Sequence, residues 1–67
     1  MKFFLATFVL ETTRFDEITR EPVSRLIIVE DDQGRDAATE KLYAAYPDVD
    51  SYTYREITEL AITEAIS

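Results

Sequence analysis

The stretch that most limits the fold is Phe3-Phe4-Leu5-Ala6-Thr7-Phe8-Val9-Leu10. Residues 2–13 are rich in Phe, Val, Leu and Thr, side chains that fit a pleated, half-buried surface, so they predict a strand. Alternation places Phe4, Ala6, Phe8 and Leu10 on one face, and Phe3, Leu5, Thr7 and Val9 on the other. Both faces are apolar, so both need cover. With Lys2 in front, the segment has the outline of a short signal peptide. No small-residue cleavage site follows, however, and the next residues are Glu11-Thr12-Thr13-Arg14. No apolar run approaches the ~20 residues needed to span a bilayer.

Polar residues fill 14–22, including Asp16, Glu17, Arg20, Glu21 and Pro22, and predict a hairpin loop into which the strands extend part-way. Phe15 and Ile18 are candidates to pack that loop down. A second strand is expected at 23–30. Its alternation sets Leu26 and Ile28 on one face and Val23, Arg25, Ile27 and Val29 on the other.

Glu30-Asp31-Asp32-Gln33-Gly34-Arg35-Asp36 then turns the chain towards helix. Asp31 and Asp32 stand where carboxylates would cap free N–H groups and favour the positive end of a helix dipole. Ala38, Leu42, Ala45 and Tyr46 form one apolar stripe, with Arg35, Asp36, Thr39 and Glu40 on the wet side. Tyr46-Pro47 ends the helix, because a residue before proline leaves the helical region. The same acids invite comparison with a calcium loop. Gly34 and Glu40 fit such a loop begun at residue 29, but that residue is Val29, and no helix precedes it. No metal site is expected.

Residues 49–57 predict a third strand, with Tyr52 and Tyr54 on one face and Val49, Thr53 and Ile57 on the other. The tail fits two patterns. Ile57, Leu60, Ala61, Glu64 and Ala65 suit a helical period, whereas Leu60, Ile62 and Ile66 suit an extended segment. The third strand running on, or a short further element, is expected. The whole is a small α+β fold over residues 1–67 as a single domain. It has a three-stranded antiparallel-type sheet in the order β-β-α-β and one amphipathic helix on one face.

One helix cannot cover both faces of that sheet. A second copy packed on the open face, or paired at an edge, would supply the missing cover, with Phe3, Leu5, Val9, Tyr52 and Tyr54 at the contact. The tail folding over that face is the other solution. The chain has no Cys and no His, so neither a disulfide nor the usual zinc site braces a domain of this size, and oligomerisation is a common substitute. The lack of Cys also fits a reducing, cytoplasmic setting.

Charge divides the chain. Residues 1–29 carry four acids and four bases, whereas residues 30–67 carry ten acids and three bases, so the whole net charge of −7 lies in the second part. Such a field repels nucleic acid and anionic membranes and attracts basic surfaces. Glu30, Asp31, Asp32, Asp36 and Glu40 around the helix start, with Asp48, Asp50, Glu56 and Glu59, are the candidate partner contacts. In size, absence of Cys and segregated acidity the chain resembles the small acidic host-takeover proteins of bacteriophages, including DNA-mimic inhibitors. That resemblance implies carboxylates standing in for phosphates on a nucleic-acid-binding protein.

Catalysis finds little support. Without His or Cys there is no Ser–His or Cys–His nucleophile, and one glycine makes no phosphate loop. Asp31/Asp32 and Asp48/Asp50 are acid pairs of the kind glycosidases use, but adjacent surface acids are usually solvated. The expectation is a non-enzymatic, cofactor-free, homodimeric protein that binds and inhibits or modulates a basic partner. The alternative is an assembly module that works through its apolar sheet face or edge, with acidity serving solubility.

Overall fold

A computed structural model describes residues 1–65. Three long strands form one antiparallel sheet: β1 (Lys2–Arg14), β2 (Glu17–Val29) and β3 (Thr53–Glu64), ordered β2-β1-β3. Helix α1 (Arg35–Ala44) lies between β2 and β3 in sequence, giving the expected β-β-α-β order. The two-faced apolar strand is therefore central, with a neighbour on each side.

One face of the sheet is the core. Phe4, Ala6 and Phe8 of β1 and Ile27 and Val29 of β2 are buried against Ala38 and Leu42 of the helix. Leucine 42 is 1% exposed, and burying such a side chain contributes roughly 1.5–3 kcal/mol. A helix of 10 residues is too short to persist alone in water, so this seam keeps it folded. Tyr46 adds an edge-on contact to Phe8, with ring centres 5.5 Å apart. The Arg25 guanidinium lies over the Tyr46 ring, 5.5 Å from its centroid. Lys41 Nζ donates to the Ile28 carbonyl at 2.7 Å and ties the last helical turn to β2.

Several boundaries differ from the sequence expectation. Residues 14–22 are not a loop: the strands run on to Arg14 and from Glu17, joined by Phe15-Asp16 alone. Phe15 has φ 54°, a position usually given to glycine, and is held by its N–H bonding the Tyr52 carbonyl at 3.1 Å and by stacking on the Tyr52 ring. The helix begins after Gly34 rather than at Asp31, and no side chain caps it. Residues 30–33 instead close a turn, with Gln33 N–H on the Glu30 carbonyl and Gln33 Oε1 accepting from Glu30 N–H. The third strand begins at Thr53, not at 49, so Tyr52 precedes it. Residues 58–64 continue that strand along β1, and Ala65 N–H reaches the Phe3 carbonyl at 2.7 Å. The tail does not fold over the open face. Ile66 lies outside the described residues.

One irregularity explains the mixed pattern of the tail. The register passes from Thr7↔Ala61 to Val9↔Thr58, so Glu59 and Leu60 together stand opposite Phe8. This is a β-bulge, and Glu59 occupies it at φ 53°. A non-glycine residue there costs about 1–2 kcal/mol. Arg20 compensates in part through a 3.0 Å ion pair to Glu59, although exposed pairs contribute only about 0–1 kcal/mol. Glu59→Gly is therefore expected to unfold at the same urea concentration as the native chain or higher. Glu59→Val, with a β-branched side chain at positive φ, should lose about 1–3 kcal/mol. Equal midpoints for the two variants would show that position 59 does not require this conformation.

Candidate interaction surface

Two surfaces stand out, one acidic and one apolar, on opposite sides of the molecule. The acidic one follows from topology. β2 ends beside Lys2, whereas β3 begins beside Arg14, so residues 30–52 must cross the length of a body 41 Å long. That crossover carries Glu30, Asp31, Asp32, Asp36, Glu40, Asp48 and Asp50 against only Arg35 and Lys41, a net −5. All seven acids are exposed. They are strung along the crossover, and among the described residues no group of three or more converges as a metal-binding cluster would.

These carboxylates are not equivalent. Asp31 pairs with the amino terminus of Met1, whose hydrogen bond and charge hold its carboxyl below the usual carboxylate range. Asp50 accepts the Tyr52 N–H at 2.8 Å, and that bond lowers its pKa in the same direction. Asp48 accepts the Arg55 N–H at 3.3 Å. Asp48 and Asp50 thus shape the approach to β3, and Asp31 holds the first residue of the chain. Glu30, Asp32, Asp36 and Glu40 are in none of the side-chain bonds found among the described residues and are the available charges. Glu56 and Glu59 do not belong to the crossover at all. Glu56 pairs with Glu11 across β1 and β3, and Glu59 sits in the bulge beside Arg20, so the nine acids expected to act together are divided between two faces.

The apolar surface is the sheet face away from α1. Strand pairing lines up Ile28 with Phe3, and Leu26 with Leu5, at one end. Leu5 is 42% exposed, Leu26 56% and Ile28 44%. Towards the hairpin follow Ser24–Thr7–Ala61, Pro22–Val9–Thr58, Arg20–Glu11–Glu56 and Ile18–Thr13–Tyr54, each row spanning β2, β1 and β3. Of the residues expected at a contact, Phe3, Leu5, Val9 and Tyr54 share this face. Tyr52 does not: it stacks on Phe15 at 5.4 Å beyond the end of the sheet. Leu26, Ile28, Ile18 and Arg20 complete the face but were not among those expected contacts. The signal for the first pair was present in the alternation of 26–29, whereas Ile18 and Arg20 were hidden inside a supposed loop.

On the core side, a groove of about 380 Å³ lies beyond the end of the helix, lined by Thr12, Arg14, Glu17, Thr19, Val49, Thr53 and Arg55. Two arginines and one glutamate are thus among its lining residues. Comparison with protein-family models, with curated proteins and with solved structures returned no match. No helix among the described residues is long and apolar enough to cross a membrane.

Proposed function

We propose that the chain is an acidic interaction protein that binds a basic protein surface, of the kind that otherwise contacts nucleic-acid phosphates, and thereby blocks or modulates it. The observation that carries this reading is the net −5 crossover running the length of one side of the molecule. A line of exposed carboxylates steers a basic partner and meets the same Lys and Arg side chains that neutralise phosphate. Such attraction between exposed charges weakens steeply with salt.

The test uses Glu30→Gln, Asp32→Asn, Asp36→Asn and Glu40→Gln together, leaving Asp31, Asp48 and Asp50 intact. The native chain is expected to retain a basic nucleic-acid-binding protein that elutes at moderate salt and is displaced by duplex DNA or RNA. The fourfold variant should bind that protein at least tenfold more weakly while melting at nearly the same temperature. Undiminished, salt-resistant capture by the variant would overturn the electrostatic reading. That outcome would favour an assembly module working through its apolar face, a reading supported by the exposure of Leu5, Leu26 and Ile28.

A further inference from the structure

β2 is an edge strand, and the ladder fixes which of its backbone groups point outward. Ala65 N–H reaches the Phe3 carbonyl, so odd-numbered residues of β1 bond towards β3 and even-numbered ones towards β2. The partners of the even-numbered residues, Val23, Arg25, Ile27 and Val29, turn their N–H and C=O groups to β1. Ser24, Leu26 and Ile28 therefore turn theirs to the open edge. Two observations agree with this parity. Lys41 Nζ reaches the Ile28 carbonyl from outside the sheet, and Pro22, which has no N–H, falls at an outward position. Among the described residues, the lysine bond is the only one made by the outward groups of Ser24, Leu26 and Ile28.

Beside this run of backbone lies a groove of about 180 Å³ between β2 and α1. Buried Ile27 and Leu42 line it, with exposed Ala45 alongside. Its two charged residues, Arg25 and Lys41, are both basic in a chain of net charge −7, and neither is in a salt bridge among the described residues. We propose that this edge and groove bind an extended peptide segment bearing an acidic residue, added to β2 as a further antiparallel strand.

The geometry sets the segment's length and pattern. Pro22 offers no donor at one end, and at the other the chain leaves the sheet at Glu30, whose carbonyl accepts the Gln33 N–H. A segment of five residues fills the space between. Its first, third and fifth residues lie opposite Ile28, Leu26 and Ser24 and exchange backbone bonds with them. The Ile28 carbonyl has two lone pairs and can accept from the segment beside Lys41. The second residue, opposite Ile27, enters the groove over Ile27 and Leu42 and must be apolar. The fourth lies opposite Arg25 in a pair without mutual hydrogen bonds, where facing side chains come closest. Asp or Glu there gains an oppositely charged cross-strand neighbour. A second copy is a poorer occupant: β2 paired to β2 about Leu26 sets Ile27 opposite Arg25 and leaves both guanidiniums without a carboxylate. The acid required here is opposite in sign to the basic partner proposed above, so the two readings stand or fall separately.

The probe is the capped peptide acetyl-Val-Leu-Val-Glu-Thr-amide, and the readout is hydrogen exchange of the full chain followed by NMR. With saturating peptide, exchange at the Ser24, Leu26 and Ile28 amides is expected to slow roughly fivefold or more, while Arg25 and Ile27, already bonded to β1, change little. Lysine in place of the peptide's glutamate should weaken binding roughly tenfold, and Arg25→Glu should reverse that preference. If Arg25→Glu does not fold, the two peptides on the native chain decide the matter. Unchanged exchange at the three outward amides would overturn the proposal, as would equal affinity for the two peptides. Concentration-dependent protection of the same amides without peptide would give the edge to a second copy and overturn it as well.

Discussion

Replacing Phe8 with alanine is expected to remove about 3–5 kcal/mol, enough to leave the chain largely unfolded at 25 °C. Phe8 is 4% exposed at the middle of the central strand. It supports Tyr46 on the helix side, fills the space opposite the Glu59–Leu60 bulge and joins the buried cluster from both neighbouring strands. Truncation leaves a hole that a regular sheet cannot close, because the backbones on either side are fixed by hydrogen bonds. Natural domains have about 0.05–0.15 kcal/mol of stability per residue, so 67 residues hold only roughly 3–10 kcal/mol in total. Urea denaturation followed by circular dichroism would measure the loss. A change below ~1 kcal/mol would mean that Tyr46 and the bulge collapse into the space.

Leu42→Ala is the second large effect, at about 2–5 kcal/mol, but its character should differ. Leu42 and Ala38 are the two fully buried residues of the helix. With Leu42 shortened, Ala38, Tyr46 and the Lys41–Ile28 bond must hold a helix that cannot stand alone. Hydrogen exchange is expected to quicken first at the amides of Arg35–Ala44, while amides shared by β1 and β2 stay protected longer. Simultaneous loss at both places would show that helix and hairpin form one cooperative unit.

Much of the architecture was legible in the residues, and the failures share a cause. Strand β1 declares itself because both of its faces are apolar, and Tyr46-Pro47 marks the helix end within two residues. The long hairpin was obscured because 14–22 extends past the helix, where both faces are wet and strand residues look like loop. A turn made by Phe15 without Gly or Asn gave no warning. In β3 the bulge places Ile57, Leu60 and Ile62 on one face, so their spacing of three and then two matches neither regular period. Asp31 and Asp32 suggested a cap because acids before a helix usually are one, but the intervening turn uses the Gln33 side chain instead. The acidity of the second part of the chain was plain from the start. Its confinement to one side depends on where the crossover runs, which composition does not encode.

The order β2-β1-β3 also bears on how the chain comes off the ribosome. Its middle strand is made first, and β2 can zip onto it through a two-residue turn as soon as it emerges. The other side of β1 waits: Phe4 faces Glu64, so that pairing spans nearly the whole sequence and closes last. During synthesis a long apolar edge therefore stays open until the final strand arrives. Chaperones that recognise extended apolar segments would meet the nascent chain in that interval.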